Sequence, residues 1–228
     1  HRYHTRPELR VILEKAGIPL TPREMNLVML FAELEGVVCS GPRREKQFTY
    51  ALVSERAPNR RTLSRDEALA ELTRRFFSSH GPATVRDFVW WSGLRTSDAR
   101  RGLQMIGARS FVQDGLTYWI DPVAEPVAAR RRGTLYLLPI YDEYLVAYRD
   151  RIAVPHGPSS LAGASSVFTT FQHAVIIDGQ VAATWRVDRT HRMPVVRVTP
   201  LRRLAAADRR ALEAEAARYG RFTGTSVS

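Results

Sequence analysis

Residues 64–120 read SRDEALAELTRRFFSSHGPATVRDFVWWSGLRTSDARRGLQMIGARSFVQDGLTYWI, and their punctuation decides the fold. Ser64 with Glu67 is a capping box, so a helix starts at residue 65. Leu69, Leu72 and Phe76 follow at spacings of 3 and 4, and Gly81-Pro82 stops the run. Thr84 with Asp87 opens a shorter helix that ends at Gly93. Thr96 or Ser97 opens a third, which buries Ala99, Leu103 and Ile106 and stops at Gly107. Ser110 to Gln113 and Leu116 to Ile120 flank Asp114-Gly115, a strong hairpin signal. Three helices and a hairpin are the order of a winged helix-turn-helix.

The order recurs upstream. Leu9, Leu13 and Ala16 mark a helix over 6–16, and Thr21-Pro22-Arg23-Glu24 starts another that ends at Gly36. Val37 to Ser40 and Gln47 to Leu52 then read as a hairpin across a Gly-Pro loop. Residues 5–52 thus form a similar unit, although no pattern marks its middle helix. The hairpins begin about 72 residues apart, near 37 and 109, as a tandem pair would. The expected organisation is α+β. Winged helix-turn-helix units at 1–61 and 62–122 precede a linker at 123–132 and a small α+β domain at 133–228. In that last domain Leu135–Leu138, His173–Ile177, Gln180–Val187 and Val195–Val198 read as strands. Residues 140–148 and 205–219 read as helices, and the Gly-, Ser- and Pro-rich 153–172 as a long loop.

The 228 residues carry 34 Lys+Arg against 23 Asp+Glu, a net charge of +11. The excess is spread evenly along the chain, so no basic tail explains it. Such a charge attracts polyanions, and double-stranded DNA is the expected partner. No apolar run spans a membrane, and His1-Arg2-Tyr3-His4 is not a signal region. Cys39 is the single cysteine, which favours a reducing, cytoplasmic location. No metal site or cofactor motif is expected, and the phosphate-loop, nucleophile-elbow and zinc-protease signatures are absent.

The candidate DNA contacts follow from the helix and hairpin reading. With Ala99, Leu103 and Ile106 turned inward, the third helix presents Arg100, Arg101 and Gln104, with Ser97 near its start. Arg and Gln pair with guanine and adenine edges in the major groove. Arg43, Arg44 and Lys46 load the tip of the first hairpin, whereas the second carries Asp114. The sequence therefore points to a composite surface, helix from one unit and wing from the other. Met25, Leu27, Val28, Met29, Leu30, Phe31 and Leu34 make the helix after Thr21 apolar almost all round, as if buried against another domain. Tyr141, Tyr144 and Tyr148 fall on one helical stripe as candidate core. Asp142, Glu143 and Asp150 with Arg149 and Arg151 read as an ion-pair network, or as paired carboxylates able to activate water.

Longer motifs carry a resemblance. Phe77-Ser78-Ser79-His80-Gly81-Pro82-Ala83-Thr84, continuing through Asp87-Phe88-Val89-Trp90-Trp91-Ser92-Gly93-Leu94, resembles the hallmark of a bacterial winged-helix DNA-binding family. Cys39-Ser40-Gly41-Pro42 with Lys46 to Tyr50, Leu138 to Leu145 with Tyr148 to Arg151, and Asp178-Gly179 with Thr184-Trp185-Arg186 resemble its other motifs. The family includes DNA glycosylases that excise alkylated purines and unhook interstrand crosslinks. The resemblance implies water attack on the anomeric carbon with no metal or cofactor, directed by a Gln-x-Gln or Gln-x-Asp motif. None of the glutamines (Gln47, Gln104, Gln113, Gln172, Gln180) has Gln or Asp two positions on. No catalytic residue is therefore assigned. The expectation is that an N-terminal domain carrying the motif precedes His1, or that the chain is a non-catalytic relative. A transcriptional regulator and a protein-interaction module are the alternative function classes.

Overall fold

The structure, a computed structural model, describes residues 2–124, 133–149, 172–190 and 193–224. The expected linker at 123–132 and loop at 153–172 lie almost wholly outside these residues, as do Asp150 and Arg151. The chain divides into two units, His1–Leu63 and Ser64–Ser228.

In the first unit, β1 (His4–Thr5) leads into α1 (Arg6–Lys15), and α2 (Pro22–Leu34) precedes β2 (Val38–Ser40) and β3 (Thr49–Leu52). A four-residue helix, α3 (Val53–Arg56), follows. Both long helices begin with reciprocal caps, Thr5 with Glu8 and Thr21 with Glu24, each satisfying amides that the first turn leaves open. The strands form an antiparallel sheet in the order β1-β3-β2. No helix stands between α1 and α2, so the missing middle-helix pattern in the sequence reflects a missing helix. The core is Met25, Met29 and Tyr50, packed by Leu9, Leu13, Leu20 and Val38. Contrary to the sequence expectation, α2 is not buried all round: Leu27, Leu30, Phe31 and Leu34 are 52–77% exposed. Periodicity shows which faces are apolar, not which of them the chain covers.

The second unit contains α4 (Arg65–Ser79), α5 (Val85–Ser92), α6 (Thr96–Met105), β4 (Arg109–Gln113) and β5 (Leu116–Ile120). The caps Ser64/Glu67 and Thr84/Asp87 form as the sequence specifies. Gly93, at φ 69°, makes the left-handed turn between α5 and α6 that a Cβ would penalise. Phe76, Phe77, Phe88, Ala99 and Leu103 are almost wholly buried and form the core under the three helices. Helices α4 and α6 approach closely because Gly102 faces Thr73; a Cβ at 102 would lie 2.2 Å from the Thr73 hydroxyl. The hairpin turn, Asp114 at φ 50° and Gly115 at φ 75°, has the twist that antiparallel strands require. Ala83 and Trp119 exchange backbone hydrogen bonds at 2.8 and 3.0 Å, which fastens the α4–α5 loop to the hairpin.

After residue 133 come β6 (Leu135–Leu138), α7 (Glu143–Val146), β7 (His173–Ile177), β8 (Gln180–Asp188), β9 (Val195–Pro200) and α8 (Ala206–Thr223). The strands form one antiparallel sheet, β6-β7-β8-β9. Val175, Ile177, Ala183 and Trp185 pack with Ala211, Leu212 and Tyr219 of α8, and Ala174, Ile176 and Val181 pack with Leu145 of α7. The helix expected over 140–148 shrinks to four residues. Tyr141 sits at φ 62°, which ends any helix begun at Pro139, and Asp142 then caps α7 through the Tyr144 amide at 3.0 Å. The three tyrosines consequently do not share one helical stripe.

Candidate nucleic-acid interface

Helix α6 buries Ala99, Gly102, Leu103 and Ile106, so helical geometry turns the remaining residues outward. Ser97, Arg100, Arg101 and Gln104 are all exposed. Two ion pairs tie this helix to the start of α4: Arg101 to Asp66 at 2.5 Å and Arg65 to Asp98 at 3.2 Å. Arg100 makes no ion pair among the described residues. Of the two arginines, it is therefore the one whose charge no carboxylate answers.

The Arg101–Asp66 pair has a testable consequence. A surface pair contributes roughly 0.2–1 kcal/mol, and any anion that binds Arg101 must first displace Asp66. D66N should tighten duplex binding a few-fold while lowering thermal stability slightly, because α4 loses a carboxylate from its first turn. Unchanged or weaker binding would show that Arg101 does not reach the nucleic acid.

At the first hairpin, Arg44 and Gln47 exchange backbone hydrogen bonds at 2.9 and 3.1 Å, with Glu45 in a left-handed conformation at φ 55°. The turn exposes Arg43, Arg44 and Lys46 together. They are not equivalent. Arg44 binds the Glu8 carboxylate at 2.5 Å and donates to the Tyr3 carbonyl at 2.9 Å, so it braces the hairpin on α1. The Thr5 amide and then Arg44 hold the Glu8 carboxyl below its ordinary range. Arg43 lies over the Phe48 ring, and Lys46 has no ion-pair partner among the described residues. The second hairpin ends on exposed Asp114 and offers no cation at its tip. Helix α6 belongs to the second unit and this hairpin to the first.

The motif residues 77–94 and 138–149 meet in a clasp that sequence spacing did not reveal. Glu143 accepts from the Trp91 indole N–H at 3.1 Å and lies 2.8 Å from His80 Nε2. The Tyr148 hydroxyl donates to the His80 carbonyl at 2.9 Å, and Trp90 donates to the Val146 carbonyl at 2.9 Å. Asp87, 6% exposed, accepts from Thr84 and also from the Arg149 amide at 2.9 Å. Burial, chiefly, pushes the Tyr148 hydroxyl up. With Asp142 capping α7 and Glu143 engaged twice, this carboxylate pair is built as a structural network. The only advance signal was that both motifs are rich in polar and aromatic residues. No group of three His, Cys, Asp or Glu is placed to hold a metal among the described residues. No helix of the described residues is long and apolar enough to cross a membrane.

Glu143 also sets a pH response. The Trp91 hydrogen bond, and after it His80, hold its carboxyl below the usual glutamate range against partial burial. A depressed carboxylate stabilises the fold above its unfolded pKa, and that contribution fades as pH falls through the folded value. E143Q should therefore melt below wild type at neutral pH, with the gap closing below about pH 4.3. A gap independent of pH would show that the charge contributes nothing to the clasp.

This mixed α/β chain carries an exposed helix face of Arg and Gln and a basic hairpin tip. Its family is definite. Residues 3–222 match the pattern described as DNA glycosylase AlkZ-like, and the chain belongs to the AlkZ-like DNA glycosylase family. It is 25% identical over 236 residues to an interstrand DNA cross-link repair glycosylase of Streptomyces sahachiroi, covering 97% of this chain and 62% of that protein. The solved structure of the Streptomyces sahachiroi DNA glycosylase AlkZ shares the fold. Its TM-score is 0.71 at 21% identity, over 99% of this chain and 64% of that one. The chain thus spans less than two-thirds of the length of either.

Proposed function

We propose that this chain is a double-stranded-DNA-binding part of a repair glycosylase that acts on alkylated or crosslinked bases. In this reading α4-α5-α6-β4-β5 is a winged helix-turn-helix, with α6 as the groove-reading helix and Ser97, Arg100, Arg101 and Gln104 as its contacts. The first unit is a second, reduced winged helix that lacks the middle helix and grips phosphate through Arg43 and Lys46, with Arg44 chiefly a brace. Its compartment is the reducing cytoplasm that holds the DNA, in keeping with the lone thiol of Cys39.

The observation that carries the reading is the exposed polar face of α6 on a helix whose opposite face is locked into the core. Family membership supplies the reaction class. The chain's own glutamines offer no Gln-x-Gln or Gln-x-Asp to direct a water, so its proposed part is grip rather than bond cleavage. A duplex bearing an N7-alkylated guanine tests both halves. The chain should retain the duplex and release no base above buffer. Base release would place excision in these residues, and failure to retain the duplex would sink the binding reading.

A further inference from the structure

The first hairpin carries an aromatic ring as well as charge. Phe48 is 64% exposed, while its neighbours Thr49, Tyr50 and Ala51 are buried. The Arg43 guanidinium lies 4.4 Å from the Phe48 ring centroid. Beside the ring is a cavity of about 480 Å³, lined among others by Arg6, Glu33, Lys46, Gln47, Phe48 and Tyr50. It lies wholly within the first unit, between α1, the end of α2 and the hairpin.

The lining narrows the ligand. The volume falls in the range of small-molecule sites. A bare phosphate would use the cations but not an open aromatic face, and an apolar ligand would use the ring but not Lys46. A nucleotide uses both, because base–aromatic stacking accepts any base and a cation beside the ring meets its phosphate. Arg6 is already committed to Asn26 Oδ1 at 2.7 Å and to the Tyr50 hydroxyl, so it forms wall rather than reaching outward. Glu33 is the one acid lining the cavity; it would repel phosphate but accept from a base amino group.

We propose that this cavity is a nucleotide site, taking one unpaired nucleotide of a DNA strand with its base on Phe48 and its phosphate at Lys46, Arg43 packing on the ring from outside the lining. The inference rests on the DNA-binding reading above and adds a preference for strands with a nucleotide out of the stack. It assigns no bond-breaking step to the cavity.

The test compares the whole chain on a fully paired duplex and on the same duplex with one unpaired adenine. The expected result is about tenfold tighter binding to the second. F48A should remove that preference while paired-duplex affinity stays close to wild type, and F48W should keep it. Phe48 is exposed, so F48A leaves the core intact. Equal affinity for the two duplexes, or a preference that survives F48A, would overturn the proposal. If the paired duplex binds with a steep salt dependence yet no preference exists, only this inference falls; if neither duplex binds, the function falls with it. Free dAMP as competitor separates sources. Loss of the preference marks a pocket open to mononucleotides, and its persistence marks one that takes strand-held nucleotides alone; both outcomes keep the site.

Discussion

Replacing Asp87 by alanine lowers the stability of the second unit by about 3 kcal/mol, by unsatisfied-group and cap energetics. The carboxylate is buried, and each oxygen is engaged: Oδ2 by the Thr84 amide at 2.9 Å and hydroxyl at 2.7 Å, Oδ1 by the Arg149 amide at 2.9 Å. Removing it takes away the reciprocal half of the α5 capping box, while the residue-87 amide still donates to Thr84 Oγ1, and strips partners from two amides. Each polar group left unpaired costs about 1–3 kcal/mol. D87N, which keeps one carbonyl acceptor, should lose less. Denaturant unfolding followed by tryptophan fluorescence, all four tryptophans lying in the second unit, measures both variants. A loss under about 1 kcal/mol for D87A would show that the clasp between the two motifs is decoration.

The double variant R100A/Q104A should lose at least about 30-fold in duplex affinity with no change in melting temperature. Each side chain that reaches a base edge contributes about 1–3 kcal/mol, and 1.4 kcal/mol is tenfold. Both positions are exposed on α6, opposite Ala99 and Leu103, so the core does not register their loss. The substitutions should also flatten preferences among duplex sequences, because phosphate contacts carry none. A variant that binds as well as wild type would remove α6 from the interface.

Much of the scaffold was legible in the residues. The capping boxes at Thr21, Ser64 and Thr84 and the inward face Ala99, Leu103 and Ile106 are local patterns, set within one or two turns, and the structure repeats them. What escaped was non-local. The brace from Arg44 to Glu8 spans 36 residues, and the Arg101–Asp66 pair 35. The helix expected over 140–148 shortens because Tyr141 turns left-handed before α7, and after it the Val146 carbonyl and the Arg149 amide bond to the distant Trp90 and Asp87. Two-residue β1 pairs with β3 across more than forty positions and leaves no periodic trace. At the candidate interface the residue types were readable, but not which charges the protein already neutralises. Arg44 and Arg101 look like Arg43 and Arg100 until their carboxylate partners are seen.

The central claim is that exposed arginine and glutamine on α6 hold duplex DNA. Affinity for a paired duplex between 50 and 200 mM salt, for wild type beside R100A/Q104A, tests it most directly. The wild-type log–log slope should be steeply negative, about −0.9 per phosphate contact, with the variant weaker at every salt concentration. A slope near zero, or two superimposable curves, would contradict it.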